Sequence, residues 1–387
     1  MKSQVIATLL AILFIFVIVG LTAPIVAQEE KKDKQEEKKE KMKFNHPSII
    51  VTKDDIKRIK DAIKRGAEPQ KTGFDELMQV AQQHMQGEPK PLEKMFIPFY
   101  YANKERHMAS RGSLDNDCDA ILALGLAYSL TDDKRYADKS LQYIKAWVKT
   151  CKIEKPDEDT PLIACRSLTL MLYGADLLWN YKGFNNTDKE AFLKWSKGTV
   201  YDMGADIIYT KRAANNWGAN AIMGMMAYAI VSEDEEKFNE LVNLWKKHLP
   251  GNLNKNAEFQ FELKRHDGST GRGISYSQFA QHAYTLTALM CLNQGIDLFS
   301  YKTPDGVGLK DSADKLFGWE MKPGSFPYDK DYKQLRNRFH ATWEVLYKQY
   351  KVKEWGNKII ELRKTHEYTW NNNEGAKWLT LTHGLPK

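Results

Sequence analysis

An arginine, a tyrosine and a pair of asparagines are the residues whose spacing suggests chemistry. In Asp267-Gly268-Ser269-Thr270-Gly271-Arg272-Gly273-Ile274-Ser275-Tyr276 a glycine-rich stretch delivers Arg272 to a helix start, and Tyr276 follows one turn later. At that separation the two side chains share a helical face. A guanidinium beside a phenol stabilises the phenolate; the alternative is a core Tyr with a structural Arg. Asn215-Asn216-Trp217-Gly218 opens a second apolar segment. An Asn pair there either caps the helix or offers hydrogen bonds to a carboxylate or sugar hydroxyl, and Trp217 can stack on a pyranose face.

The elements that must position these residues are helices. Thr52-Lys53-Asp54-Asp55, followed by Ile56, Ile59 and Ile63 and closed by Gly66, reads as a capped helix with one apolar stripe. From there on, helical periodicity recurs and alternating strand patterns are scarce. Apolar segments 115–130, 162–179 and 217–231 each turn into an amphipathic helix, through Thr131-Asp132-Asp133, Asn186-Thr187-Asp188 and Ser232-Glu233-Asp234. Thr187 with Glu190 and Ser232 with Glu235 read as capping boxes. The amphipathic partners carry Tyr136, Leu141, Ile144 and Trp147, then Phe192 and Trp195, then Phe238, Leu241 and Trp245. A further inner helix is expected over 275–292. Helix pairs recurring in this way fit an all-α toroid of hairpins, with the apolar helix inside and the amphipathic one outside. Parallel inner helices gather the loops before them at one end. Those loops hold Arg106, His107 and Arg111, then Arg212, Asn215 and Asn216, then Arg265, His266 and Arg272, and helix N-termini add partial positive charge. One rim is therefore expected to bind an anion.

Composition agrees with a folded domain: 42% of the 387 residues are hydrophobic and 28% charged, with 10 Trp, 18 Tyr and 16 Phe. The excess of seven basic over acidic residues favours anionic ligands. No dense Lys/Arg block in the folded part points to nucleic acid. Four cysteines without CxxC spacing argue against a disulfide scaffold or a zinc ribbon, and neither an EF-hand loop nor an HExxH pattern appears, so no metal or cofactor is expected. Residues 1–27 read as a secretory signal, one Lys before an apolar run ending in Ala27, with an uncleaved anchor as the alternative. Residues 28–43, with seven Lys and six acidic side chains, read as a solvated linker, and 44–387 as one domain. The expected location is periplasmic or secreted, with no stable membrane partner once the signal is removed.

Several of these segments resemble one known family. Asn-Asn-Trp-Gly at 215–218, Arg-Gly-Ile-Ser-Tyr-Ser-Gln-Phe at 272–279, Gly-Ile-Asp-Leu-Phe at 295–299 before Thr-Pro-Asp-Gly at 303–306, and Ala-Tyr-Ser-Leu-Thr-Asp-Asp-Lys-Arg-Tyr-Ala at 127–137 are similar to the alginate lyase domain of polysaccharide lyase family 5. The resemblance covers roughly residues 108–326. It implies an incomplete (α/α) toroid, export to the periplasm and β-elimination on a uronic-acid polysaccharide. Asn216 and Arg272 match the family's Asn and Arg. Trp217 stands where those lyases carry His, and Phe279, seven residues after Arg272, where they carry the catalytic Tyr; Tyr276 falls on a second family Tyr position.

Elimination explains the residue types. The C5 proton of a uronate is too weakly acidic to remove while its carboxylate stays negative, so that charge must be neutralised and the enolate-like intermediate stabilised. Arg272 and Asn216 suit this role, and one Tyr can serve as base and acid when elimination is syn. Tyr276 is expected to be that residue; otherwise His266 or His282 takes the role, or catalysis has been lost. Substrate contacts are expected from Asn215, Trp217, Arg212, His266, Arg111 and His282. The competing functions are an (α/α)-barrel glycoside hydrolase, which needs two carboxylates across a cleft, and a non-catalytic polyuronate-binding protein. Asp115, Asp117 and Asp119 are the acidic candidates for a hydrolase, though they read more simply as helix-start caps. His107 reads as a solvated loop residue, Arg166 as either cleft-facing or buried in a pair, Cys151 and Cys165 as one optional disulfide, and 370–373 as a loop.

Overall fold

The segments 160–177 and 216–231 show no polar face because nearly every side of them is covered. The computed structural model describes residues 42–265, 272–322, 324–329, 341–364 and 377–385, apart from the side chains of Lys211 and Arg212. The signal and linker readings, His266, the glycine-rich stretch 266–271 and the segment 370–373 lie outside the described residues. Residues from Met42 onward form one compact unit. Its helices are α1 (Lys53–Lys64), α2 (Gln70–Gln86), α3 (Lys104–Thr131), α4 (Lys134–Thr150), α5 (Thr160–Leu177), α6 (Asn186–Ser196), α7 (Asp202–Ile208), α8 (Asn216–Val231), α9 (Glu235–Asn252), α10 (Arg272–Asn293), α11 (Leu309–Met321), α12 (Thr342–Tyr350), α13 (Lys353–Arg363) and α14 (Leu379–His383). Among the described residues there is no strand, only the isolated bridges of Lys94 with Lys152 and Leu253 with Phe259.

The inner series is α3, α5, α8 and α10, each packed on the next. Every residue of α5 is buried, and so is every residue of α8 except Trp217, which is why these segments show no amphipathic stripe. The outer helices bury one face. In α4 that face is Tyr136, Ala137, Ser140, Leu141, Tyr143, Ile144 and Trp147, at helical spacing. Helices α12 and α14 carry the packing from α10 back to α1 and α2, which in turn contact α3. This is the all-α toroid of hairpins expected from the repeat.

Local signals explain most boundaries. Thr52 caps α1 as expected, in a capping box with Asp55, and Gly66 adopts the left-handed conformation behind it. The two capping boxes expected at Thr187 and Ser232 are corrected. Asn185 caps α6, accepting the Asp188 N–H, and Asp234 caps α9, accepting the Lys237 N–H. Asn and Asp are at least as good N-caps as Ser and Thr, and here they are better placed.

The largest correction concerns α3. It starts at Lys104, capped by Asn103, so Asp115, Asp117 and Asp119 lie inside the helix and cap nothing. Asp115 pairs with Arg111 and accepts the Ser167 hydroxyl. Asp117 accepts the Trp147 indole and the Lys90 N–H, and Asp119 pairs with Lys377. The first turns of α3 are polar because they form the rim of a cleft. All four cysteines, Cys118, Cys151, Cys165 and Cys291, are buried and free, so Cys151 and Cys165 form no disulfide.

Candidate active site

The N-terminal turns of the four inner helices converge on one open cleft of about 430 Å³. His107 and Arg111 come from α3, Arg166 from α5, Asn216 and Trp217 from α8, and Arg272, Tyr276 and Phe279 from α10. The connection before α3 contributes Phe99, Tyr100 and Tyr101, the segment before α5 contributes Asp159, and the turn after α9 contributes Arg265. The parallel entry of the inner helices, inferred from the hairpin repeat, is what brings these distant residues together.

The cleft is strongly cationic. Arg111, Arg166, Arg265 and Arg272 line it, and Asp159 is the only carboxylate among the described lining residues. Asp159 accepts the Tyr100 N–H at 2.8 Å and lies 3.4 Å from His107 Nδ1. His107 is therefore not a solvated loop residue: it is buried on α3, bonded to the Pro98 carbonyl at 2.8 Å and edge-on to Tyr100. Arg166 is also buried, with its guanidinium 5.2 Å from the centre of the Phe279 ring. Burial, with repulsion from Arg111, pushes its pKa down to about 9, so it remains charged at neutral pH.

Tyr276 stands partly exposed, its hydroxyl 3.1 Å from that of Tyr101. Two guanidinium groups lie near its ring. Arg265 is 4.4 Å from the ring centre and Arg272 is 5.9 Å away, so the arginine predicted as the partner of Tyr276 is the more distant of the two. The Phe279 ring sits edge-on to Tyr276 at 5.5 Å.

Asn216 is held from behind. Its backbone N–H and its Nδ2 both donate to Glu262 Oε1, at 2.6 and 2.9 Å. Glu262 is buried, which raises its pKa, while the two Asn216 bonds and the charge of Arg265 oppose that rise. Two glycines of the sequence motifs permit this packing. A Cβ on Gly218 would stand 2.2 Å from the Ala213 carbonyl and 2.4 Å from His248 Nε2, and one on Gly273 2.3 Å from the Leu263 carbonyl. Only glycine allows such approaches.

Other expected site residues are placed differently. Asn215 is the N-cap of α8, its Oδ1 accepting the Trp217 N–H at 2.9 Å, and it does not line the cleft. His282 is corrected as a substrate contact: it is buried in α10 with Nδ1 against the Thr342 hydroxyl. Burial, and then the nearby Arg166, push its pKa down to about 3, so it is neutral and shielded from the cleft. Arg212 falls in the short turn 211–214, and its side chain is outside the described residues, as is His266. The sequence reading missed Asp159, Tyr101 and Glu262. The aromatic run Phe99-Tyr100-Tyr101 ahead of the Asn103 cap was the one local signal for Tyr101.

Comparison with known proteins follows the same lines. The family model for alginate lyases matches residues 26–326. No curated protein matches by sequence. Among solved structures, an alginate lyase from Bacteroides ovatus superposes with a TM-score of 0.68 at 15% identity, covering 88% of this chain and 100% of that one. Alginate lyase A1-III from Sphingomonas species A1 gives 0.67 at 17% identity, covering 86% of this chain and 95% of that one. A Tyr-to-Phe variant of alginate lyase A1-III, complexed with a tetrasaccharide, gives 0.68 at 15% identity, with 89% and 100% covered. The shared architecture is that of the (α/α)-toroid polysaccharide lyases. The chain belongs to the alginate lyase family.

Proposed function

We propose that the protein cleaves alginate or a related uronic-acid polysaccharide by β-elimination, with Tyr276 moving the proton and Asn216 and Arg272 meeting the carboxylate. The observation that carries this reading is the charge of the cleft, four lining arginines, of which Arg111 is paired with Asp115, against one already bonded lining carboxylate, around a partly exposed phenol. A polyanion gains from such a surface, and a low-dielectric wall strengthens the effect.

Asn216 and Arg272 bind the uronate carboxylate and offset its charge, so that removal of the C5 proton yields an enolate-like dianion stabilised by their N–H groups. The Tyr276 phenolate takes that proton. The electron pair moves to form the C4–C5 double bond as the C4–O4 bond breaks, and the Tyr276 hydroxyl returns a proton to the departing O4. Arg265, 4.4 Å over the ring, holds the phenol in place by a cation–π contact. Trp217 suits stacking on a neighbouring sugar, and Arg111 suits contact with a further carboxylate. Export to the periplasm or beyond, where such polymers are met, is part of the same proposal.

A hydrolase needs two carboxylates across the cleft, and the described lining supplies Asp159 alone. The test is incubation of the purified protein with alginate, polymannuronate, polyguluronate and glucuronan, read at the ultraviolet band of the unsaturated uronate. Absorbance should rise with at least one polymer. New reducing ends without that absorbance would mean hydrolysis, and binding with neither would mean a non-catalytic polyuronate-binding protein.

A further inference from the structure

Glu262 is a buried acidic group that the elimination scheme leaves without a task. It is 1% exposed, and its Oε2 is without a hydrogen-bond partner among the described residues. Burying a carboxyl group is costly unless it is well bonded, and the two bonds its side chain accepts both come from Asn216. We propose that Glu262 is the positioning residue for the carboxylate-binding half of the cleft, fixing the amide plane of Asn216 by holding its backbone N–H and one side-chain N–H on a single oxygen. This deepens the proposed function and rests on it.

Geometry supports the assignment in three ways. An Asn side chain pinned at Nδ2 by one hydrogen keeps the second N–H of the same nitrogen for a ligand, and Asn216 lines the cleft. Binding the backbone N–H as well fixes the side chain relative to its own helix, which removes the rotation that a lone side-chain bond would leave. The turn that carries Glu262 is itself anchored: the Glu262 N–H donates to the Phe259 carbonyl at 2.9 Å, the Arg265 N–H donates to the Glu262 carbonyl at 3.0 Å, and the head of α10 packs so closely on Leu263 that position 273 has room only for glycine. The same turn places Arg265 over Tyr276. One short segment thus holds the Asn that meets the carboxylate and the cation beside the phenol.

Negative charge builds on the carboxyl group as C5 loses its proton, so a misaligned Asn216 weakens the transition state more than the bound substrate. The experiment compares Glu262→Gln, which keeps an acceptor oxygen, with Glu262→Met, which fills the space without one, alone and combined with Asn216→Ala; melting curves verify folding. Glu262→Met should lower kcat about 30-fold with KM changed less than about threefold, and Glu262→Gln should stay within about fivefold of wild type. Because Glu262 acts through Asn216, the Glu262→Met/Asn216→Ala double variant should be within about twofold of Asn216→Ala alone. Multiplied losses in the double variant, or equal losses for Gln and Met, would overturn the proposal. If the wild-type protein eliminates no polyuronate, the functional reading fails separately. Crystal structures of the variants then decide the Glu262 assignment: the Asn216 amide should turn in Glu262→Met and stay in Glu262→Gln, and an unmoved amide in Glu262→Met would overturn it.

Discussion

The heads of α8 and α10 form two sides of one cleft and are built in opposite ways. At α8, Asn216 is buried, bonded twice to Glu262, and flanked by the Asn215 cap and by a glycine pressed against His248. At α10, Tyr276 is partly exposed, its hydroxyl meeting that of Tyr101, which is 67% exposed. The difference matches the two tasks that the proposed elimination assigns to them. Charge stabilisation works best when the donors are fixed before the reaction, whereas the proton carrier must reach first C5 and then O4.

The largest test of this contrast is at the open side. Tyr276→Phe should reduce turnover by about 10³, the range of a lost acid–base group, in the ultraviolet assay of the unsaturated product. On the closed side, Asn216→Ala should lower kcat by about 10², and steady-state kinetics should show KM changed far less than kcat. Gly273→Ala probes the support shared by both sides. Its Cβ would stand 2.3 Å from the Leu263 carbonyl, so the head of α10 must shift, at a cost of about 1–3 kcal/mol, measured as a lower midpoint in denaturant.

Acid should weaken both heads through histidines that are buried neutral. Burial lowers the pKa of His248, which packs on the head of α8, and sets that of His282, on α10, at about 3. The unfolded chain protonates both near pH 6.5. Their stabilising contribution is therefore complete above that pH and is lost as pH falls through 6.5 toward the folded values. For His282 the loss at pH 5 is roughly 2 kcal/mol, and Tm should fall steadily between pH 7 and 5. The smallest effect is expected at Trp217: Trp217→Ala should raise KM for polymer about tenfold with kcat little changed, as for a residue that binds substrate and transition state alike.

What was legible in the sequence follows from the range of the interactions. Helices buried on all sides must be apolar throughout, so 162–179 and 217–231 were visible, and Asn216 and Tyr276 lay in short motifs at helix starts. The start of α3 was not visible. Its first turns carry His107 and Arg111 into the cleft, and their polarity hides the helix they belong to. Glu262 bonds Asn216 from 46 residues away, and Asp159 meets His107 across another connection; pairings of that kind leave no mark in local spacing. Arg265 was placed correctly at the rim, but its approach to Tyr276, closer than that of Arg272, depends on how the turn after α9 packs. Cys151 and Cys165 flank one loop and left a disulfide open as an option, yet the Cys165 thiol is buried within α5, 3.7 Å from the Val200 carbonyl.

The most direct measurement of the central claim takes turnover and oligouronate affinity together in Tyr276→Phe. The account predicts that formation of the unsaturated product slows by about 10³ while affinity stays within about threefold of wild type, because the phenol moves the proton and the arginines do the binding. Turnover equal to that of the wild-type protein would contradict it.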